Sequence, residues 1–447
     1  MEILGLVPGF GGLAWTIVAF IVALSVIVAV HEYGHYIVGR WTGIEAEVFS
    51  LGFGPVLFSR MDRRGTRWQF ALLPLGGYVK FKGDADPASG KDVEAIESLP
   101  EDERRHTMYG APLWARAATV AAGPAFNFAL SIIIFTAIFM TRGVATEPLT
   151  VGELRPIPVA NELQEGDEIL EIAGIAPPSF EDAEAFDAFS EAIPVEPELD
   201  YTVRRDGREM VVTGPYPYPP LITQVIPRSA AMETQLKRGD FILAVDDAPI
   251  AAFDDLRDAV ERSEGRPLLL EVWRDGEVME FALAPKRVDE PQPEGGFETR
   301  WRIGITGGLF FEPATEMAGP VEAFTGGVAQ VGEIIRGSLS GLWHMITGAI
   351  STCNLSGPIG IAETSGAMAS QGTTSFIWFI AVLSTAVGLL NLFPVPILDG
   401  GHLVFYAYEA VRGRPPSDLA LRVLMGFGLT LVLGLMAFAL TNDLFCP

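Results

Sequence analysis

Residues 31 to 35 read His-Glu-Tyr-Gly-His, a spacing that can bind a metal ion and use it for hydrolysis. Two histidines four positions apart project from one face of a helix and can share a zinc ion. The glutamate beside the first of them can accept a proton from the attacking water. The preceding segment, residues 13–30, is uncharged and long enough to cross a bilayer. The sequence therefore predicts a hydrolytic zinc site within or beside a membrane.

A zinc hydrolase needs three protein ligands and one open position for water, so His31 and His35 require a third partner. Asp399 is the best candidate, because it ends a predicted span on the side of the membrane that also holds His31. An ionisable residue at such a place is costly without a partner and by default indicates function, although a helix cap would also explain it. His402 can compete as a ligand, but a histidine at a membrane interface is more often solvated.

Two asparagines in predicted spans, Asn127 and Asn391, can each bridge helices by hydrogen bonding. Asn391 is better placed to touch a substrate, since it is expected to lie about two turns above Asp399. Pro394 and Pro396 are expected to unwind the end of that helix and to free backbone groups for a substrate.

The composition limits the class of protein. The 447 residues carry a formal charge of −25, and 49% of them are hydrophobic, which fits a membrane protein with a sizeable soluble part. The acidic balance argues against nucleic acid as a partner. The two cysteines, Cys353 and Cys446, form neither a disulfide framework nor a cysteine zinc site. A bond between them is possible but not expected, since two isolated thiols carry no spacing signal.

Four segments are long and apolar enough to span a membrane, at residues 13–39, 117–140, 376–398 and 419–440. The first lacks a basic start and a small-residue cleavage site, so it is interpreted as a retained helix and not as a signal peptide. Arginine and lysine are concentrated between the first two spans and recur between the last two, which predicts that these loops are cytoplasmic. Both termini and residues 141–374 would then lie outside.

Residues 46–82 alternate apolar stretches with turns and contain the glycines Gly52, Gly54, Gly76 and Gly77. The pattern indicates β-structure that is too apolar for open water and too short to span a bilayer. One interpretation is a β loop that dips into the membrane beside the site, where non-helical backbone must be buried in protein or line a cavity. The other is a small sheet packed on the cytoplasmic face, and the residues alone do not separate the two.

The outer region contains an internal repeat. Residues 162–170 read ELQEGDEIL and residues 235–243 read QLKRGDFIL, and each copy leads to a helix-like stretch and then to a strand interrupted by Arg-Asp-Gly. Two copies predict two similar small domains, whose strand–helix–hairpin order resembles PDZ domains, which bind extended peptide ends by strand addition. Residues 289–298 are predicted to be a linker. Residues 320–350 are predicted to form an amphipathic helix on the outer membrane surface.

Taken together, four motifs resemble the site-2 protease family, and within it the bacterial regulator-of-sigma-E branch. They are HEYGH at 31–35, GPAFN at 123–127, LSGPI at 355–359 and NLFPVPILDG at 391–400. The resemblance covers nearly the whole chain, but it is weaker in the PDZ-like segments and in residues 94–103. It implies an intramembrane zinc metalloprotease of the bacterial inner membrane, with periplasmic termini and PDZ domains and with the active site towards the cytoplasm.

The resemblance also implies roles for individual residues. The zinc ligands would be His31, His35 and Asp399, with Glu32 as the catalytic base. Asn391 matches a position that holds the substrate backbone. The loop around Gly52, Gly54, Gly76 and Gly77 matches a re-entrant β element, which favours the first interpretation of residues 46–82. Substrates in the family are single-span membrane proteins, such as an anti-sigma factor after a first outside cut, and remnant signal peptides.

The predicted fold is a multi-pass α-helical membrane protein with a re-entrant β loop and two tandem PDZ-like α+β domains. Its predicted segments are a first span 1–40, a β region 41–116, a second span 117–141, PDZ-like domains 142–219 and 220–290, a linker and amphipathic region 291–374, a third span 375–400, a cytoplasmic loop 401–418 and a fourth span 419–441. A monomer in the lipid bilayer is the favoured state. Two other functions stay open: a non-catalytic PDZ scaffold, which would bind no zinc, and a transporter, which the lack of a span repeat disfavours.

Overall fold

The computed structural model describes residues 7–84, 99–179, 183–292 and 296–446. Residues 94–98 of the poorly matching stretch and residues 293–295 of the predicted linker lie outside these ranges. The chain divides into two compact units. One is built from 1–138, 320–343 and 352–446, and the other from 139–319 and 344–351.

The first unit begins with a long helix and a folded β-hairpin. Helix α1 is Val7–Trp41, and it is followed by strands β1 (Ala46–Met61) and β2 (Arg67–Phe81). Both strands double back, so that Phe49 pairs with Val79 on one side and with Trp68 on the other. The hairpin therefore folds back on itself as a small four-stranded ribbon, and its last stretch, residues 76–81, forms one edge.

Helix α2 (Glu101–Arg104) leads to helix α3 (Leu113–Arg142), which contains Pro124. One side of the hairpin is packed with aliphatic and aromatic side chains from α1, β1, β2 and the start of α3, including Tyr36, Phe49, Phe81 and Ala115. This core attaches the hairpin to the helix that carries the histidine motif.

The second unit consists of short strands and helices. In chain order they are β3 (Val144–Ala145), β4 (Val151–Leu154), β5 (Glu168–Ile172), α4 (Ala183–Ala192), β6 (Leu199–Arg205), β7 (Arg208–Gly214), β8 (Gln224–Val225), α5 (Ala230–Glu233), β9 (Phe241–Val245), β10 (Ala248–Pro249), α6 (Phe253–Arg262), β11 (Leu268–Arg274), β12 (Glu277–Leu283), β13 (Lys286–Pro291), β14 (Phe297–Arg302), β15 (Ile305–Thr306), β16 (Phe311–Pro313) and β17 (Thr315–Glu316).

Two similar sheets dominate this unit. The first has the order β5-β6-β7, the second has the order β10-β9-β11-β12, and each packs on its own apolar core. In both, a strand is followed by a helix and then by a hairpin with an Asp-Gly turn. The positive φ angles at Asp206 and Asp275 fit these two-residue turns. The predicted linker 289–298 is partly β-structure, because β13 and β14 pair as antiparallel strands from Lys286 opposite Arg302 to Pro291 opposite Phe297.

The C-terminal part is helical. Its elements are α7 (Pro320–Ile346), a 3₁₀ turn (Thr352–Asn354), α8 (Pro358–Ser370), α9 (Thr373–Asn391), α10 (Asp399–Arg412) and α11 (Asp418–Phe445). Four helices within the described residues are long and apolar enough to cross a membrane: 12–41, 113–142, 373–391 and 418–445. Helix α7 does not meet this criterion.

Two local expectations differ from the structure. The third span ends at Asn391, not near residue 400, and the predicted loop 401–418 is largely helix α10. The cause is the segment 392–398, where two prolines interrupt the helical hydrogen bonding. The two cysteines were not expected to pair, yet Cys353 and Cys446 form a disulfide with Cα atoms 5.6 Å apart. The chain fold brings together two residues that are far apart in sequence.

Candidate active site

His31 and His35 lie one turn apart on α1 and are both buried, each with 9% of its surface exposed. Their Nε2 atoms are 3.2 Å apart. The apolar run before them forms the helix, and the spacing of four places both rings on the same face. The motif thus presents two nitrogen atoms to one point.

Asp399 is the first residue of α10 and reaches the same point. Its Oδ2 lies 3.2 Å from Nε2 of His31 and 3.5 Å from Nε2 of His35. The tight approach of α10 to the preceding segment depends on two glycines. A Cβ at Gly400 would lie 2.3 Å from the Leu392 oxygen, and one at Gly401 would lie 2.2 Å from the Val395 oxygen.

These three atoms fit a metal ion. Bonds of 2.0–2.1 Å in tetrahedral geometry separate neighbouring ligand atoms by about 3.4 Å, which is close to the observed separations. Asp399 Oδ2 is buried and has no hydrogen-bond partner among the described residues, as expected of an atom whose partner is a cation. His31, His35 and Asp399 are also the one group of potential metal ligands found in the described ranges.

The other nitrogen of each histidine has its own partner. His35 Nδ1 donates to the backbone oxygen of Thr119 at 2.9 Å, which leaves the Nε2 lone pair free. His31 Nδ1 lies 3.2 Å from the amide nitrogen of Asn127, whose Oδ1 is buried without a partner in the described structure. If the Asn127 oxygen and nitrogen are exchanged, Oδ1 accepts from the His31 Nδ1–H, and Nε2 of His31 is free for a metal ion.

Helix α3 can approach the two histidines because of Gly123. A Cβ at this position would lie 2.3 Å from His35 Nε2 and 2.8 Å from His31 Cε1. On the other side, a Cβ at Gly34 would lie 2.5 Å from the Ala122 oxygen. The two glycines therefore set the spacing between α1 and α3 at the site.

Glu32 lies beside the two histidines and against the edge of the hairpin. A Cβ at Gly77 would come within 3.2 Å of Glu32 Cγ, and the Val79 backbone interacts with the Glu32 carboxylate. The edge strand formed by residues 76–81 thus lies next to Glu32, the candidate base.

The remaining predicted site residues have different surroundings. Gly52 and Gly54 have positive φ angles at the bend of β1, and Gly76 packs on the ring of Phe53, so these three shape the hairpin. Asn391 ends α9, and its amide donates to the Val387 oxygen at 3.0 Å. His402 is not part of the three-residue group.

Sequence reasoning missed two contributors. Asn127 was considered mainly as a bridge between helices and Gly123 as part of a motif, whereas they contact His31 and both histidine rings, respectively. The signal that could have identified them is a Gly-Pro-x-x-Asn stretch within a predicted span, where a polar side chain needs a partner.

Comparison with known proteins matches the chain to the family model of peptidase family M50 over residues 19–435. A protein of Rhizobium meliloti named as a zinc metalloprotease is 38% identical over 436 residues, covering 97% of each chain. A similarly named protein of Agrobacterium fabrum is 36% identical, with 97% of each chain covered. The regulator of sigma-E protease RseP of Salmonella typhimurium is 32% identical over 459 residues, covering 96% of this chain and 98% of its own.

Proposed function

Because the chain belongs to peptidase family M50, the site-2 type of zinc metalloprotease, we propose that it cleaves single-span membrane proteins within the bilayer. The observation that carries this proposal is that His31, His35 and Asp399 converge next to Glu32. The two histidines and Glu32 lie on an apolar helix that is long enough to span a membrane. The substrate of a site at this depth is another membrane-embedded segment.

In the proposed mechanism His31, His35 and Asp399 hold the zinc ion of the family. When bound, zinc supplies a Lewis acid that activates water and polarises a carbonyl group. Glu32 accepts the proton of the attacking water and delivers it to the leaving amine. The hydrogen bonds of Thr119 and Asn127 orient the histidine rings, and the surrounding helices restrict access of bulk water.

The substrate must unwind first, because the backbone groups of a transmembrane helix are bonded internally. We assign the unwound segment to the hairpin edge at residues 76–81, where it adds as a strand. The close approach of the Gly77 backbone to Glu32, where an added Cβ would lie 3.2 Å from Glu32 Cγ, supports this position, since a strand paired there runs beside the candidate base. Asn391 would hold the other side of the substrate after releasing its bond to Val387. Gly52, Gly54 and Gly76 would act indirectly, by shaping the re-entrant hairpin.

The two similar sheets would be periplasmic PDZ-like domains that admit only trimmed substrates, and both termini would be periplasmic in a multi-pass inner-membrane protein. The Cys353–Cys446 disulfide supports this orientation, because disulfides persist in the periplasm and are rare in the cytoplasm. An anti-sigma factor after a first cleavage and remnant signal peptides are the proposed substrates. The regulator of sigma-E protease among the relatives supports an anti-sigma factor as the substrate.

The decisive experiment compares the wild type with Glu32→Gln in zinc content and in cleavage of a single-span reporter. We expect both proteins to retain zinc and the variant to lose cleavage. Asp399→Asn is the companion variant and should lose zinc as well as activity. Retained cleavage by Glu32→Gln would refute the proposal, and a wild type that binds no zinc would favour a scaffold.

A further inference from the structure

The turn of the β-hairpin carries four exposed arginines, Arg60, Arg63, Arg64 and Arg67, which we call the arginine turn. Within the described ranges no carboxylate forms an ion pair with any of them. The one lysine within residues 46–81 contrasts with this, since Lys80 pairs with Glu47 at 3.1 Å. Four arginines without an ion pair within eight residues contrast with the net charge of −25 of the whole chain.

The shape of the arginine turn is fixed by the residues inside it. The Asp62 carboxylate accepts hydrogen bonds from the backbone N–H of Arg64 at 2.7 Å and of Thr66 at 2.9 Å. Gly65 supplies the positive φ angle of 85° that the turn needs. Because Asp62 is satisfied by these backbone groups, its charge does not neutralise the neighbouring guanidinium groups by direct pairing.

The arginine turn is also attached to the end of α1. The Tyr36 hydroxyl donates to Asp62 at 3.2 Å, and Arg40 donates to the Thr66 hydroxyl at 3.2 Å. Trp41, the last residue of α1, is 72% exposed. An exposed tryptophan and arginines at the end of an apolar helix are typical of the headgroup level of a membrane.

The rest of the hairpin exposes a broad apolar surface. Its exposed side chains are Phe53, Val56, Leu57, Phe58, Phe70, Leu72 and Leu73, with exposed fractions of 43–67%. The ladder pairs Phe53 with Leu73 at the end of the hairpin away from the arginine turn. Apolar side chains at one end and cations at the other fit an element whose body lies among acyl chains and whose turn lies among phosphates.

We propose that the arginine turn binds the phosphate groups of anionic phospholipids. Guanidinium groups bind phosphate through paired hydrogen bonds, and clustered basic residues next to a span are attracted to anionic headgroups. An acidic peptide would satisfy the charges but not the adjoining apolar surface, which is why lipid is the favoured partner. Binding would fix the depth of the hairpin and so of its edge beside Glu32.

The test uses full-length protein in phosphatidylcholine vesicles with a trace of spin-labelled phosphatidylglycerol or spin-labelled phosphatidylcholine. The fraction of each label with restricted motion gives the preference for the anionic lipid. We expect the wild type to prefer phosphatidylglycerol. In Arg63→Gln/Arg64→Gln the preference for phosphatidylglycerol over phosphatidylcholine should be roughly tenfold lower. Arg63→Lys/Arg64→Lys should retain most of it, because the charge remains.

The matched control is Arg412→Gln/Arg414→Gln, which removes the same charge from another exposed position and should leave the preference unchanged. Equal losses in both glutamine variants would reduce the effect to net charge and overturn the proposal, as would equal binding of the two labels by the wild type. Full displacement of the label by soluble polyglutamate would assign the turn to acidic peptides and also overturn it. The result should be the same in the Glu32→Gln background, so it is independent of proteolysis.

Discussion

The guanidinium of Arg116 forms a two-point ion pair with the carboxylate of Glu409, with N–O distances of 3.1 and 2.6 Å. Both side chains are mostly buried, with 12% and 18% exposed. Arg116 lies in the first turn of α3, and Glu409 lies in α10, the helix that begins with Asp399. The pair therefore ties the element bearing the candidate third ligand to the helix that packs on the two histidines.

Arg116→Met should lower both stability and zinc content. It leaves the Glu409 carboxylate without its partner, which costs roughly 2 kcal/mol or more, and it loosens α10. Thermal unfolding and metal analysis of the purified protein measure the two effects. The double variant Arg116→Met/Glu409→Met should recover much of the stability, since no charge is left unpaired. A single variant with unchanged zinc content would show that α10 is positioned by other contacts.

Gly123→Ala should abolish zinc binding without unfolding the protein. The added methyl group would lie 2.3 Å from His35 Nε2, so the ring must leave the position from which it meets His31 and Asp399. Gly434→Ala on α11 is the control, because a Cβ there meets nothing within 4 Å. Zinc content and reporter cleavage should fall in the first variant only. Equal zinc content in both variants would contradict the role assigned to Gly123.

Asn127→Leu should weaken zinc binding by roughly 10- to 100-fold, the usual cost of removing the partner of a metal-binding histidine. The leucine is similar in size but cannot hydrogen-bond to His31. Asn127→Asp keeps an acceptor at the same place and should retain more affinity than the leucine variant. Competition with a chelator of known affinity measures the difference. Identical affinities in all three proteins would show that Asn127 does not orient His31.

Asp167 should make the free energy of unfolding depend on pH in the acid range. Burial of its carboxyl raises the pKa, but hydrogen bonds from Arg205 and from the Gln164 backbone outweigh burial and hold the pKa below its ordinary value. A pKa lower in the folded than in the unfolded chain contributes stability above about pH 4, and this contribution is lost as the pH falls through the folded value. The thermal midpoint of Asp167→Asn should therefore fall less than that of the wild type between pH 5 and pH 3.

Asp200→Asn is the control for this pH effect, because Asp200 is exposed on the same sheet. Its midpoint should follow the wild type across the range. If Asp167→Asn also follows the wild type, another group causes the acid sensitivity.

The internal repeat shows what a sequence pattern can and cannot predict. The similarity of the two copies predicted two similar units, and both sheets repeat the same strand–helix–hairpin order. In each copy the aspartate of Gly-Asp binds the arginine before the hairpin turn, at 2.7 Å for Asp167–Arg205 and at 2.6 Å for Asp240–Arg274. This pairing was not predicted, because the partners are 38 and 34 residues apart and only the fold brings them together.

In the candidate site, too, contacts between residues close in sequence could be predicted, whereas most contacts between distant residues could not. The spacing of His31 and His35 is local, so helix geometry predicted that they converge. Asp399 could be proposed because an ionisable residue at a span end needs a partner. The break between Asn391 and Asp399 was misplaced, since prolines interrupt a helix but do not specify where the next one starts. The contact of Asn127 with His31 depends on packing between helices, which no spacing along the chain encodes.

The bond between Cys353 and Cys446 makes a covalent ring from the last part of the chain, with a sequence separation of 93. The ring contains α8 to α11 and so includes Asp399. A peptide-bond break between α10 and α11, at residues 413–417, would open the ring without separating its pieces. Such a nicked protein would migrate as one full-length species on a non-reducing gel and as two fragments after reduction.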